Sequence, residues 1–363
     1  MVDVVDVRSG RDYKHLEEGD IPVYGTGGYM LSVNEALSDD EDAIGIGRKG
    51  TIDNPYILRA PFWTVDTLFY AVPRDKYDLN FVFDIFQNVN WKAKDESTGV
   101  PSLSKATINA VETLMPEYAE QKKIGEYFSY LDNFITLHQR KCDETKKLKK
   151  FMLQKMFPKK DANKPEIRFA GFTDDWEQRK WMDTVDISTE MVDPTTGEYD
   201  DMPHIAPGNI ESFTGRILDN VKTVKEEQLI SGKFRFRPDD VVYGKINPQL
   251  GKYFYANVDG LTSADAYVFN GKNGITQKFL YSILQTNDFF KYSVSVSKRS
   301  GMPKINRDEL NAYSFLVPNE EEQEKIGDFL IDIDHLITLH QRKCDELKEF
   351  KKYMLQNMFP QKG

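Results

Sequence analysis

A glycine-rich run is the first pattern in the chain that could do chemistry: residues 45–50 read GIGRKG and satisfy the G-x-G-x-x-G spacing of dinucleotide-binding loops. Such a loop holds a pyrophosphate only where a helix opens directly after it, and Pro55 blocks a helix there. The spacing of a P-loop is also absent. The run therefore predicts a tight hairpin, whose backbone N–H groups, Arg48 and Lys49 could contact a phosphate or a base edge.

Three other loops carry similar chemistry. Residues 25–29, GTGGY, combine glycines, which permit many backbone conformations, with a tyrosine. Residues 245–252 take the place of the 45–50 hairpin in the second half. Residues 297–304 are the strongest basic cluster of that half and share a Gly-x-Pro frame with residues 96–105. Asn and Gln suit adenine edges and Lys suits guanine or phosphate, although all are ordinary turn residues as well. The candidate nucleic-acid contacts are Gly25, Thr26, Gly27, Gly28, Tyr29, Arg48, Lys49, Thr51, Lys245, Asn247, Gln249, Lys252, Lys298, Arg299 and Lys304.

Composition argues against several classes of protein. Two cysteines and five histidines, without a His-x-x-x-His spacing, predict no disulfide framework and no metal site. The apolar runs are too short for a membrane helix, and residues 1–6 lack a secretory signal. No nucleophile elbow, triad or paired carboxylates are visible. The chain is therefore predicted to be soluble, cytoplasmic and free of an active site.

The charge balance opposes a nucleic-acid binder acting alone. The 363 residues include 58 Asp and Glu against 48 Lys and Arg, a net charge of -10. Phosphate contacts need positive surface, so a DNA-binding role requires local basic patches or a partner that supplies them.

An internal repeat determines the architecture. Residues 131–144, LDNFITLHQRKCDE, return 202 positions later as residues 333–346, IDHLITLHQRKCDE. The match runs without a gap from Gly99 and Gly301 to the Met-Phe-Pro at residues 156–158 and 358–360, and upstream only residues 3–6 and 183–186 echo each other. The chain is predicted to be two copies of one unit, each a variable globular part followed by a nearly constant segment.

The constant segments predict two long helices. Apolar residues, Leu148 among them, recur at steps of three and four in a stretch with one glycine and no proline, as in a coiled coil. About 38 residues would span roughly 57 Å. Neither helix buries its stripe alone, so the two are predicted to pack antiparallel around a seam formed by Ile124, Leu131, Ile135, His138, Cys142, Ile326, Ile333, Ile337, His340 and Cys344.

The variable parts predict an α+β fold. Strands are expected at residues 43–46, 64–72, 239–243, 253–257 and 265–269, and short helices at 80–90 and 277–292. The predicted division is a β-rich domain at 1–117, a helix at 118–160, a second β-rich domain at 161–318 and a second helix at 319–363. This arrangement fits a sequence reader for DNA, a coiled-coil adaptor whose β-rich domains bind proteins, or, less well, an enzyme that uses the 45–50 loop. Two divergent domains on matching helices favour recognition.

One family shares these motifs. The pattern of Pro116, Glu120-Gln121-x-x-Ile124-Gly125 and Leu131-Asp132-x-x-Ile135 recurs in the second half, and residues 169–177, FAGFTDDWE, lead into its β-rich domain. The duplicated set resembles the specificity (S) subunit of type I restriction–modification systems. The resemblance covers nearly the whole chain, although that family opens with a segment like residues 171–181 before its first domain, so the first domain is expected to be trimmed at its edge.

The resemblance implies a non-catalytic targeting subunit. Two target-recognition domains would each read one half of a split double-stranded DNA sequence, with the antiparallel helices as a spacer that docks two methyltransferase subunits. Those partners would bind S-adenosylmethionine, and optional restriction and motor subunits would use ATP, so this chain would hold no cofactor. Partners that surround the DNA would also supply positive surface that this acidic chain lacks. The lysine-rich stretch at residues 141–160, otherwise a solvated helix face, is expected to matter for docking more than for base preference.

Overall fold

The computed structural model describes residues 1–160, 162–298 and 301–359. These residues form two compact units, and each of the two long helices contributes to both. Unit 1 holds residues 1–138 with the described part of 343–363, and unit 2 holds residues 139–342.

The chain up to residue 160 forms seven strands, three α-helices and one 3-10 helix (Trp91–Lys94). The strands and α-helices are β1 (Val5–Ser9), β2 (Glu18–Gly25), β3 (Gly28–Val33), β4 (Ala43–Gly47), β5 (Tyr56–Leu58), β6 (Trp63–Thr64), β7 (Leu68–Pro73), α1 (Leu79–Asn88), α2 (Lys105–Asn109) and α3 (Tyr118–Lys155). An antiparallel sheet has the order β1-β7-β4-β5, and a smaller sheet has the order β3-β2-β6.

The rest of the chain forms β8 (Glu177–Lys180), α4 (Trp181–Thr184), β9 (Val185–Ile187), β10 (Met191–Val192), β11 (Pro203–His204), β12 (Lys222–Thr223), β13 (Lys233–Phe236), β14 (Val241–Gly244), β15 (Tyr253–Tyr255), β16 (Gly260–Thr262), β17 (Ala266–Gly271), α5 (Gln277–Leu284), α6 (Asn287–Val296), α7 (Arg307–Asn311), β18 (Ser314–Val317) and α8 (Glu320–Met358). Its sheets have the orders β9-β17-β14-β15, β10-β13-β16-β11-β12 and β8-β18.

The repeat extends into the dissimilar domains. The sheet β1-β7-β4-β5 of unit 1 has the same order as β9-β17-β14-β15 of unit 2, with all neighbours antiparallel. Val5 and Val185, which belong to the faint echo in the sequence, open the equivalent edge strands β1 and β9. The predicted α+β class and pseudo-two-fold repeat are confirmed.

Several predicted elements are interrupted. The run 64–72 is broken at residues 65–67 between β6 and β7, because the chain leaves one sheet and enters the other. The helix predicted at 277–292 is two helices, since Thr286 caps α6 by accepting from the N–H of Phe289. The hairpin predicted at 45–50 is not tight, because residues 48–55 form a loop between β4 and β5.

The long helices pair antiparallel, as predicted. In unit 1 the ammonium of Lys351 donates to Oδ1 of Asp132 at 2.6 Å, and Cys344 Sγ lies 3.9 Å from the carbonyl O of Ile135. In unit 2 the equivalent contacts join Lys149 to Asp334, and Cys142 Sγ to the carbonyl O of Ile337 at 3.8 Å. In each unit the residue number rises on one helix as it falls on the other.

All ten predicted seam residues are at least partly buried. Leu131, Cys142, Ile326, Ile333, Ile337 and Cys344 are buried, whereas Ile124, Ile135, His138 and His340 are half-buried. The stripe is wrong at one step, because Leu148 is 44% exposed and Lys149 beside it is only 6% exposed. The ion pair of Lys149 with Asp334 satisfies this buried charge.

Each long helix is fastened to a short helix of its own unit through a glutamine and a glycine. Gln121 accepts from the N–H of Asp78 at 3.1 Å, just before α1, and donates to the carbonyl O of Pro116 at 2.9 Å. A Cβ at Gly125, one turn further on, would lie 2.6 Å from the N of Phe81. Gln323 and Gly327 make the matching contacts with α5. The single glycine of each helix therefore permits a close helix–helix approach.

Candidate nucleic-acid interface

In unit 1 the loop after β4 lies against the Gly-x-Pro loop. The N–H of Gly50 donates to the carbonyl O of Pro101 at 2.8 Å, and the N–H of Leu103 donates to the carbonyl O of Arg48 at 2.9 Å. A Cβ at Gly47 would overlap the carbonyl O of Thr51, so glycine is required where the chain leaves β4. The frame places Arg48 and Lys49 on the wall of an open cleft of about 580 Å³.

Unit 2 builds the same backbone frame from different residues. The N–H of Asn247 donates to the carbonyl O of Pro303 at 2.7 Å, and the N–H of Ile305 donates to the carbonyl O of Lys245 at 3.0 Å. Lys49 forms a β-bridge with Ser102 in unit 1, and Ile246 forms one with Lys304 in unit 2. Arg48 and Lys245 therefore occupy equivalent positions at the ends of β4 and β14.

Basic side chains converge on one aromatic ring in unit 2. The ammonium of Lys245 lies 5.0 Å from the centre of the Tyr267 ring, and the guanidinium carbon of Arg307 lies 5.9 Å from it. Burial lowers the pKa of Lys245, the positive charges of Lys304 and Arg307 lower it further, and Asp265 opposes the shift. In unit 1 the guanidinium carbon of Arg48 lies 5.7 Å from the ring of Phe69, which holds the place of Tyr267.

The glycine loop at residues 25–29 lies beside the Arg48 loop. It is the turn of the β2–β3 hairpin, with Gly28 at φ +106° and Tyr29 63% exposed. A Cβ at Gly50 would come within 4.0 Å of Thr26 Oγ1, so the two loops are neighbours. Together with Lys14 and Asp66 the 25–29 loop lines a surface cleft of about 520 Å³.

The remaining candidates differ in how they are presented. Thr51, Gln249, Lys298 and Lys304 are exposed, and Gln249 donates to the side chain of Asn247 at 3.2 Å. Lys252 is half-buried, and its ammonium donates to the carbonyl O of Ile210, so it holds a loop of its own domain. Arg299 lies outside the described residues.

Two basic residues at this edge escaped the sequence analysis. Arg307 is the first residue of α7, and its repeat counterpart Lys105 is the first residue of α2. Both directly follow the Gly-x-Pro loops, and a comparison of the two copies for charge as well as identity would have found them.

A second surface lies on the long helices. Aromatic and aliphatic side chains that face outward are between 43% and 64% exposed on both copies: Tyr130, Phe134, Leu137, Leu148, Phe151, Leu336, Leu339, Phe350 and Tyr353. Most of them recur at equivalent repeat positions, such as Phe134 with Leu336 and Leu137 with Leu339. Exposed apolar rows of this kind mark interaction surfaces.

No group of three or more potential metal ligands is found among the described residues. Within the same residues, none of the helices combines the length and hydrophobicity that a bilayer span demands.

The chain is similar to proteins of one kind. A family model described as the type I restriction modification DNA specificity domain matches residues 2–147 and 173–349. The specificity subunit of the type I restriction enzyme EcoDI from Escherichia coli is 25% identical over 252 residues, 62% of this chain and 56% of that protein. The MjaVIII specificity subunit from Methanocaldococcus jannaschii is 23% identical over 287 residues, 73% of this chain and 65% of that protein. The chain thus spans a little over half to about two thirds of these relatives.

The fold has a solved counterpart. The crystal structure of a type-I restriction-modification system S subunit from M. genitalium superposes with a TM-score of 0.74 at 13% identity, over 100% of this chain and 96% of that chain. The family model matches twice, once in each repeat, and together the two matches cover most of the sequence. The chain therefore belongs to the family of type I restriction modification DNA specificity domains.

Proposed function

We propose that the chain is the non-catalytic DNA sequence-reading subunit of a type I restriction–modification complex, and that each unit reads one half of a split target. The observation that carries this proposal is the shared frame at the ends of β4 and β14. It presents Lys49 and Gly50 in unit 1, but Ile246 and Asn247 in unit 2, at equivalent places. One backbone with two sets of side chains suits two different half-sites.

The division of labour follows the units. Residues 1–117 and 161–318 would be the target-recognition domains, and residues 118–160 and 319–363 the helices that receive partners. Lys49, Asn247, Gln249 and the 25–29 loop have the donors, acceptors or backbone access that reading base edges requires.

The outward apolar rows of α3 and α8 would dock two methyltransferase subunits. The exposed side chains of Phe134 and Leu137 recur as Leu336 and Leu339, which suits two copies of one partner. S-adenosylmethionine, and ATP where restriction and motor subunits are present, would be bound by those partners. Changing Leu336 and Leu339 together to aspartate should remove one of the two methyltransferase copies from the purified complex, and changing Phe134 and Leu137 as well should abolish co-purification with the methyltransferase. Changing the exposed Lys146 and Lys147 to alanine is a matched control that should weaken it less.

The reading function is tested by selecting duplexes from a random library with the chain bound to its methyltransferase. We expect a bipartite motif with an unread gap of constant length. Asn247→Ala should relax one half of that motif by about 1–3 kcal/mol per lost bidentate contact and leave the other half unchanged. Lys49→Ala should change only the other half.

The selection has one control variant and two possible results that would contradict the proposal. Lys92→Ala, at an exposed ion pair with Asp53 in unit 1, should leave the motif unchanged. Selection of a single contiguous motif, or of none, would overturn the proposal and leave a protein-binding adaptor as the better description.

A further inference from the structure

The cations around Tyr267 lie close enough to repel one another, which costs free energy. Lys245 and Arg307 both lie within 6 Å of the ring, and Lys304 is close enough to act on the charge of Lys245. Like charges brought together repel, most strongly where water is partly excluded, and Lys245 is half-buried. The negative charge of Asp265 acts on Lys245 and offsets part of this repulsion. A bound anion would remove this repulsion.

Within the part of the chain that the structure describes, none of these three cations forms an ion pair, although the charge of Asp265 acts on Lys245. The guanidinium of Arg307 donates to the carbonyl oxygens of Ile187 at 3.3 Å and Ser188 at 3.1 Å, which are neutral acceptors. Lys304 is exposed. The hydrogen bonds of Arg307 hold its side chain in place, so the positive charge is positioned before any ligand arrives.

The repeat separates two kinds of position at this edge. Positive charge recurs at two of them, as Arg48 and Lys245 after the central strand and as Lys105 and Arg307 at the start of the short helix. The positions between them do not match: Gly50 in unit 1 stands where unit 2 has Asn247. Contacts that differ between two half-sites must include the base contacts, whereas a contact kept in both serves a chemistry that both half-sites share. In duplex DNA that shared chemistry is the phosphate backbone.

We propose that Lys245 with Arg307, and Arg48 with Lys105, bind backbone phosphates, and that base reading falls to the unmatched positions beside them. This inference rests on the proposed DNA-reading function and reassigns Arg48 and Lys245, whose side chains alone suit guanine as well as phosphate. Tyr267 and Phe69 would support the cations from below through their ring faces.

The salt dependence of DNA affinity tests the assignment. Fluorescence anisotropy is measured from low to moderate salt with the chain in complex with its methyltransferase, on the selected duplex and on a duplex with one half-site scrambled. Each of Arg307→Gln, Lys105→Gln and Lys245→Gln should lower the slope of log affinity against log salt by about 0.9. Each should also weaken both duplexes by the same factor, roughly 8-fold at 0.1 M salt.

Two variants separate charge from structure. Arg307→Lys keeps the charge and should restore the slope even if the contacts to Ile187 and Ser188 are altered. Asn247→Ala should leave the slope unchanged and alter the preference between the two duplexes.

The results of these measurements distinguish a failure of the phosphate assignment from a failure of the proposed DNA-reading function. Unchanged slopes in the charge-removing variants, or a loss confined to one half-site sequence, would overturn the phosphate assignment while DNA reading stands. If the charge-removing variants lower the slope but the wild-type complex does not discriminate between the duplexes, the phosphate site is upheld and the proposed function is overturned. A wild-type complex that binds neither duplex would overturn both.

Discussion

Replacing Arg168 with alanine should leave a buried carboxylate without a partner. Nε and Nη2 of Arg168 donate to the two oxygens of Glu322 at 2.6 Å and 2.8 Å. The side chain of Glu322 is 0% exposed and that of Arg168 is 12% exposed. In the variant, Glu322 must either remain charged in low-dielectric surroundings or take up a proton, and both outcomes destabilise unit 2.

The magnitude follows from the contacts that are lost. Removing one partner of a buried ion pair costs about 3–5 kcal/mol. The bond from Nη1 to the carbonyl O of Asp174, at 2.7 Å, is lost as well and adds about 1 kcal/mol. We therefore expect a loss of about 4–6 kcal/mol. Glu120, the repeat counterpart of Glu322, is exposed and has no side-chain partner among the described residues, so Glu120→Gln should cost less than about 0.5 kcal/mol.

Urea unfolding followed by hydrogen exchange of peptides from the two ends of the pair measures this loss within unit 2. Protection should fall in residues 164–176 and 320–330, and the unfolding midpoint of unit 2 should move to lower urea. The double variant Arg168→Ala with Glu322→Gln should recover part of the loss, because no charge is then left buried. If Arg168→Ala unfolds at the wild-type urea concentration, or if Glu120→Gln costs as much, the carboxylate is solvated and this reasoning is wrong.

For two further substitutions, the structure predicts the direction of the change in stability. Burial raises the pKa of Asp84 from 3.8 to about 9, Lys351 opposes the shift, and Oδ2 of Asp84 has no partner among the described residues. When the pKa of an acid is higher in the folded state than in the unfolded state, the protein loses stability as the pH rises from the lower pKa to the higher one. In melting experiments between about pH 5 and 8, the stability of Asp84→Ser relative to wild type should therefore increase by on the order of 1 kcal/mol per pH unit. A difference that does not depend on pH would contradict this. Gly327→Ala should destabilise by about 1–2 kcal/mol, because the new Cβ would lie 2.5 Å from Lys278 Cβ and 3.0 Å from the N of Phe279, and that strain exceeds the gain of about 1 kcal/mol in helix propensity; a raised melting temperature would show that α5 can move aside.

The long helices could be predicted because their signal is local and duplicated. Apolar residues at steps of three and four define one face wherever they occur, and the same face appeared twice. The analysis missed Lys149 and its repeat counterpart Lys351, which are both buried. A lysine becomes a core residue only when a carboxylate faces it, and in each case that partner, Asp334 or Asp132, comes from the other helix. Hydropathy along one helix cannot show that partner.

The recognition domains were harder because their strands depend on distant pairing. Residues 64–72 have uniform β-propensity, yet β6 pairs with β2 while β7 pairs with β1 and β4. The candidate loops were found from glycine and charge, whereas Arg307 and Lys105 stand in five-residue helices just outside the glycine-rich loops. Lys252 shows the opposite error, because a lysine in a turn can serve its own fold.

The fastening of each long helix to its domain has a consequence for how specificity changes over generations. Gln121 and Gly125, like Gln323 and Gly327, contact the backbone and the first residues of a short helix. The two short helices, α1 and α5, have the same residue at few positions, so the joint does not depend on their sequences. Recombination within the two matching helix-coding stretches would exchange one complete domain for another and leave this joint intact. Under the proposed function, a new DNA preference would therefore be acquired in one genetic step, without passing through intermediates that fail to fold.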